Sequence, residues 1–134
     1  MSDHEFRRDP LTNEWVAIVG ARQDRPNHPT EGCPFCVGGL EAPEPYSVRA
    51  FPNRWPPLVP GPPVDFPDGA DGELFLARPP RGGAEVVLYT PDHTGSMASL
   101  GVDGARAVVD LWAERTEALM ARDEVAYVLV FENR

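Results

Sequence analysis

A chain of 134 residues is one domain or a piece of a larger one, and its 42% hydrophobic content is enough for a core. Its formal charge of −9 repels phosphate backbones and argues against nucleic acid as a partner. No apolar run is long enough to span a membrane, and residues 1–10 are charged with no signal-peptide core. A cytoplasmic, reducing compartment is the expectation, so the two cysteines read as thiols or metal ligands rather than a disulfide.

In chain order, a turn over residues 10–13 leads into a predicted strand over 14–21, rich in β-branched and aromatic residues. Residues 22–29 form a polar, basic loop. Much of the chain's proline lies between Pro26 and Pro67, which excludes a long helix or a central strand there. Within that stretch, residues 46–51 fit a short strand ended by Pro52, and 56–72 a turn-rich connection. Residues 73–78 and 84–90 are predicted to pair as a hairpin around Gly82 and Gly83.

Residues 101–121 carry the one strong helical signal. Ala105, Val108, Val109, Trp112, Thr116, Leu119 and Met120 recur at helical spacing, Gly101 serves as N-cap, and Asp103 places negative charge in the first turn. Residues 126–131, Ala-Tyr-Val-Leu-Val-Phe, read as a closing strand apolar enough to be central. The expected class is α+β with an antiparallel sheet and one main helix. Residues 26–72 supply a Pro/Gly-rich loop region, and residues 73–131 supply sheet and helix. A central strand so near Arg134 leaves the expected architecture incomplete.

Cys33-Pro34-Phe35-Cys36 sets two thiols two residues apart across a proline, a spacing that chelates one zinc ion from a tight turn. His93, in a Pro-Asp-His turn after the apolar 85–89 run, is the best third ligand; His4 and His28 have no obvious bracing element. A dithiol redox site would open a helix. Here Val37-Gly38-Gly39, Pro43 and Pro45 follow instead, against that reading. Two buried core thiols are the plain alternative.

Three places could face phosphate or nucleotide. Arg22 and Arg25 share one loop, and guanidinium forks suit phosphate oxygens, but a solvated loop fits equally. Asn53, in Pro52-Asn53-Arg54-Trp55-Pro56, offers an amide and an aromatic plane for a base or ribose, or else packs a corner. Asn133 could donate to phosphate or cap a turn.

Seven segments in this order resemble the start of the galactose-1-phosphate uridylyltransferases. They are Arg8-Asp9-Pro10-Leu11-Thr12-Asn13-Glu14-Trp15-Val16, Arg22-Gln23-Asp24-Arg25-Pro26, Cys33-Pro34-Phe35-Cys36, Pro52-Asn53-Arg54-Trp55-Pro56, Tyr89-Thr90-Pro91-Asp92-His93, Val109-Asp110-Leu111-Trp112 and Val130-Phe131-Glu132-Asn133. The resemblance implies a histidine-triad-like fold and a dimer. It implies zinc held by Cys33, Cys36 and His93, UDP-sugar contacts from Arg22 and Arg25, nucleotide contacts from Asn53 and Arg54, and a contact near the phosphates from Asn133. Many members carry an acidic residue at the position of Arg54 and a lysine at that of Asp24.

The implied reaction is ping-pong uridylyl transfer from UDP-glucose to galactose 1-phosphate through a histidine. In the family that histidine and a fourth zinc ligand lie in a His-Pro-His-Gly-Gln segment beyond the position of Arg134. No residue of this chain is therefore expected to be the nucleophile, and a complementing C-terminal chain or a fragment is expected. The alternative is a non-catalytic zinc- or nucleotide-binding module or a degenerate relative.

Overall fold

In the computed structural model, residues 4–20, 32–66 and 74–133 are described. The arrangement is α+β, with two small antiparallel sheets and one main helix. Among the described residues no helix is long and apolar enough to cross a membrane.

The first sheet contains β1 (His4–Arg8), β2 (Trp15–Val19) and β4 (Ala77–Arg78), in the order β2-β1-β4. β1 was not foreseen, because four of its five residues are polar or titratable. Its pairing is nevertheless regular, His4 opposite Val19 through Arg8 opposite Trp15. Asp9 makes the hairpin. Its carboxylate accepts from the Leu11 backbone N–H at 2.8 Å and its carbonyl from Asn13 at 2.8 Å. Asn13 sits at φ +62, a conformation asparagine tolerates better than most residues. Phe6 and Trp15 meet the edge of Phe66 at 5.5 and 4.9 Å between ring centres, which gives this sheet an aromatic face.

The second sheet pairs β3 (Arg49–Pro52) with β5 (Glu85–Leu88), Arg49 opposite Leu88. The expected hairpin between residues 73–78 and 84–90 does not form. β4 pairs with β1 and β5 with β3. The connection contains Pro79 and Pro80, which have no N–H to give a ladder. Its remaining groups are engaged by Val59, whose N–H donates to the Pro80 carbonyl and whose carbonyl accepts from Gly82. The chain is thus carried from one sheet to the other.

Helix α1 (Gly101–Met120) matches the predicted span. Its N-cap is Leu100 rather than Gly101; Gly101 itself stands at φ +66, following a short 3-10 turn over Met97–Ser99. That left-handed step is where glycine is required. The inward stripe is centred on the fully enclosed Val108. Val109 and Met120, expected on it, lie at its rim and are about half exposed. Arg122, just past the helix, donates to the Gly82 carbonyl at 2.9 Å and so fastens the helix end to the connection before β5.

Among the described residues, 126–131 pair with no strand, contrary to the predicted closing strand. Tyr127, Leu129 and Phe131 are largely exposed. An apolar run expresses a tendency to be buried, but a strand also needs a partner edge within hydrogen-bonding reach, and a sequence does not encode that partner locally.

Candidate metal centre

The Cys-Pro-Phe-Cys loop folds as a knuckle. The Cys36 N–H points back to the Cys33 carbonyl at 3.4 Å, and Gly39 donates to the Cys36 carbonyl at 2.8 Å. Glu41 then donates to the Pro34 carbonyl, and Gly38 to that of Ala42, both at 2.8 Å. Gly38 turns the chain at φ +86. Gly39 is needed for a different reason: a Cβ there would fall 2.7 Å from the Pro34 carbonyl oxygen, 2.8 Å from that of Cys36 and closer still to that of Cys33. A loop wound this tightly presents both thiols on one side.

The opposing loop leaves the end of β5. Asp92 shapes it by accepting from the Thr94 backbone N–H at 3.0 Å and from the Thr94 hydroxyl at 3.1 Å, while the Asp92 N–H donates to the Thr90 hydroxyl at 3.2 Å. This turn brings His93 Nδ1 to 3.2 Å from Cys36 Sγ. The three ligand atoms of Cys33, Cys36 and His93 all lie within 4.8 Å of one another. They border a cleft of about 270 Å³, whose walls include Phe35, Tyr46, Tyr89 and Pro91. His4 lies elsewhere, on β1 beside a second cleft with Arg78 and Arg81. His28 falls outside the described residues.

The thiols do not titrate alike. The hydrogen bond from the Cys36 thiol holds Cys33 down at about 7, against partial burial and with smaller help from the Phe35 backbone and His93. Cys36 is pushed up, first by the same bond to Cys33 and then by desolvation. Cys33 is thus the more acidic of the two thiols, and a cation held between the sulfurs would displace the proton of Cys36. This donor set can hold a metal ion.

Tyr46 joins the two loops. Its hydroxyl donates to the Phe35 carbonyl at 2.8 Å and to the Thr90 carbonyl at 3.1 Å. Burial, and then the nearby Cys36 and Cys33, push its phenol above the usual tyrosine range. Sequence reading took Tyr46 as the start of a strand and missed this role; the one available signal was a tyrosine between prolines and a strand, close after the cysteines.

The other expected site residues are placed less directly. Asn53 Oδ1 accepts from the Trp55 N–H at 2.9 Å, so half of its carboxamide serves the turn. Arg54 pairs with Glu41 at 2.7 Å, which ties the Asn53 turn to the residues that follow the knuckle. Asn133 is exposed and follows Glu132, whose carboxylate accepts from the Tyr89 hydroxyl at 2.8 Å at the cleft wall. Arg22 and Arg25 lie outside the described residues.

Comparison with known proteins matches residues 1–134 to the family model for the galactose-1-phosphate uridyl transferase N-terminal domain. The chain belongs to the galactose-1-phosphate uridyl transferase family. It is 41% identical over 132 residues to the galactose-1-phosphate uridylyltransferase of Thermotoga maritima, covering 97% of this chain and 41% of the relative. It is 37% identical over 134 residues to that of Streptomyces lividans, covering 97% of this chain and 32% of the relative. An ADP-glucose phosphorylase of Arabidopsis thaliana is 25% identical over 161 residues, covering 97% of this chain and 43% of that protein. The chain thus spans well under half the length of these relatives.

Among solved structures, a uridylyltransferase mutant superposes with a TM-score of 0.62 at 29% identity, covering 85% of this chain and 34% of that one. A second uridylyltransferase structure gives 0.54 at 26%, covering 85% and 36%. The galactose-1-phosphate uridyl transferase family model covers the whole chain, and with it Cys33, Cys36 and His93 of the candidate metal centre.

Proposed function

We propose that this chain forms the metal-binding and part of the nucleotide-binding portion of a UDP-glucose–hexose-1-phosphate uridylyltransferase. The observation that carries this reading is the convergence of Cys33, Cys36 and His93, from loops 57 residues apart in sequence, in a chain of that family. Zinc is the ion these donors suit best. Two thiolates and an imidazole would serve it as ligands, and the three donor atoms lie within 4.8 Å of one another. Bound there, zinc supplies a redox-inert tie between the two loops.

The chain's own residues then act as binders. Asn53 keeps its amide N–H groups for the nucleotide, and Arg54 keeps the guanidinium edge that does not face Glu41. Arg22 and Arg25 are assigned to the UDP-sugar, and Asn133 to the phosphates. The transfer itself proceeds through a histidine outside the three in this sequence. Its neutral ring nitrogen attacks the α-phosphorus of UDP-glucose, the bond to glucose 1-phosphate breaks, and galactose 1-phosphate then takes the uridylyl group from nitrogen. His93 is committed to the metal cluster and is not that nucleophile. The proposed state is a homodimer, or a pairing with a chain that carries the nucleophile, in the reducing cytoplasm where the thiols persist.

The test is to express the reading frame encoding this chain through to its stop codon, and to assay release of glucose 1-phosphate from UDP-glucose with galactose 1-phosphate as acceptor. Turnover that falls in C33S and H93A supports the reading. Turnover of ADP-glucose alone would move the protein toward the phosphorylase relative. Stoichiometric metal and UDP-glucose binding without turnover would leave a binding module.

A further inference from the structure

We propose that Tyr46 is a positioning residue for the Cys33–Cys36–His93 centre, setting the separation between the two loops that carry its ligands. The inference rests on the metal reading above. One phenolic proton is shared between two carbonyls, Phe35 at 2.8 Å and Thr90 at 3.1 Å. Each carbonyl matters to a ligand. That of Phe35 belongs to the peptide bond into Cys36, so holding it fixes the plane from which the Cys36 side chain departs. Thr90 is the root of the His93 turn, because its hydroxyl accepts from Asp92, whose carboxylate in turn fixes Thr94. Tyr46 therefore reaches Cys36 through one peptide and His93 through a short relay of turn bonds.

The sheet explains why a residue at this position can do so. In the β3–β5 register Arg49 stands opposite Leu88, with Ala50 opposite Val87. The chain bends at residues 47 and 48, just before the ladder begins at Arg49 opposite Leu88. Tyr46 thus stands at the end of the sheet from which the His93 loop departs, and its hydroxyl reaches both that loop at Thr90 and the knuckle at Phe35. Partners that orient ligands in this way commonly shift metal affinity by about 10- to 100-fold when removed.

The experiment compares wild type with Y46F, C33S and Y127F, titrating each with zinc against a chromophoric chelator and with cobalt(II) for its absorption spectrum. Y46F keeps the ring and loses only the hydroxyl. The expected result is zinc affinity weakened about tenfold or more in Y46F, with shifted cobalt d–d bands. Binding is abolished in C33S and unchanged in Y127F, whose hydroxyl sits on an exposed ring. Wild-type affinity and an unaltered cobalt spectrum in Y46F, with binding still lost in C33S, would overturn the role of Tyr46 while leaving the metal centre standing. Absence of stoichiometric zinc in the wild type would overturn both. Loss of folded circular dichroism in metal-free Y46F would also overturn the proposal, because the hydroxyl would then be supporting the fold at large.

Discussion

Arg115 on α1 grips the carboxylate of Glu85 on β5 with two parallel hydrogen bonds, 2.8 Å from Nε and 2.7 Å from Nη2. The pair joins the helix to the strand that leads into the His93 loop. Both side chains are partly exposed, so solvent screens the charge interaction. A double-mutant cycle with R115A and E85A, measured by urea unfolding, is expected to give a coupling of about 0.5–1 kcal/mol. A coupling indistinguishable from zero would mean that this pair adds nothing to the apolar packing and the Arg122 contact that hold the helix.

Gly39 is the position where the knuckle tolerates no side chain. In G39A the added methyl would press on the carbonyls of Cys33, Pro34 and Cys36 together, and none of these can swing away without opening the turn. Zinc affinity is expected to fall by more than about tenfold, read by equilibrium dialysis. Retention of wild-type affinity would show that the thiols do not depend on this turn.

The phase of α1 can be checked with two valines. Val108 is fully enclosed, whereas Val109 is 53% exposed. V108A is expected to cost about 2 kcal/mol, and V109A under about 0.5 kcal/mol, in chemical unfolding. Equal losses would place the buried stripe elsewhere on the helix.

Glu124 supplies a pH signature. The hydrogen bond from Arg122 holds its carboxyl below the usual glutamate range. The folded-state pKa is thus below the unfolded one, so the contribution to stability is present above the unfolded value of about 4.5 and disappears as pH falls through the folded value. Thermal melts between neutrality and pH 3 are expected to show a shallower acid decline for E124Q than for wild type. Parallel curves would assign the acid sensitivity to other carboxylates.

Chain chemistry made some of this visible in advance. The β-branched run at residues 15–19 and the periodicity of residues 101–120 each carry their own local preference, and both formed as expected. Cys33, Cys36 and His93 were legible because few residue types ligate soft metals, and their convergence followed. Pairing was not legible. β1 is polar, and its strand character comes from Trp15–Val19 lying alongside it. Residues 73–78 and 84–90 looked like each other's partners, yet the connection between them is engaged by Val59 instead. Tyr46 was hidden for a similar reason, since its value depends on Thr90, 44 residues away.

The stretch from Pro52 to Phe66 contains six prolines and little regular pairing, yet it carries the Asn53 turn and the Val59 crossover. Each pyrrolidine ring has already removed one rotation from the unfolded chain. Ordering that stretch therefore sacrifices less chain entropy than ordering an equally long glycine- or serine-rich segment would. Replacing these prolines one at a time with alanine should loosen the corner by enlarging the unfolded ensemble, even where no folded contact is lost.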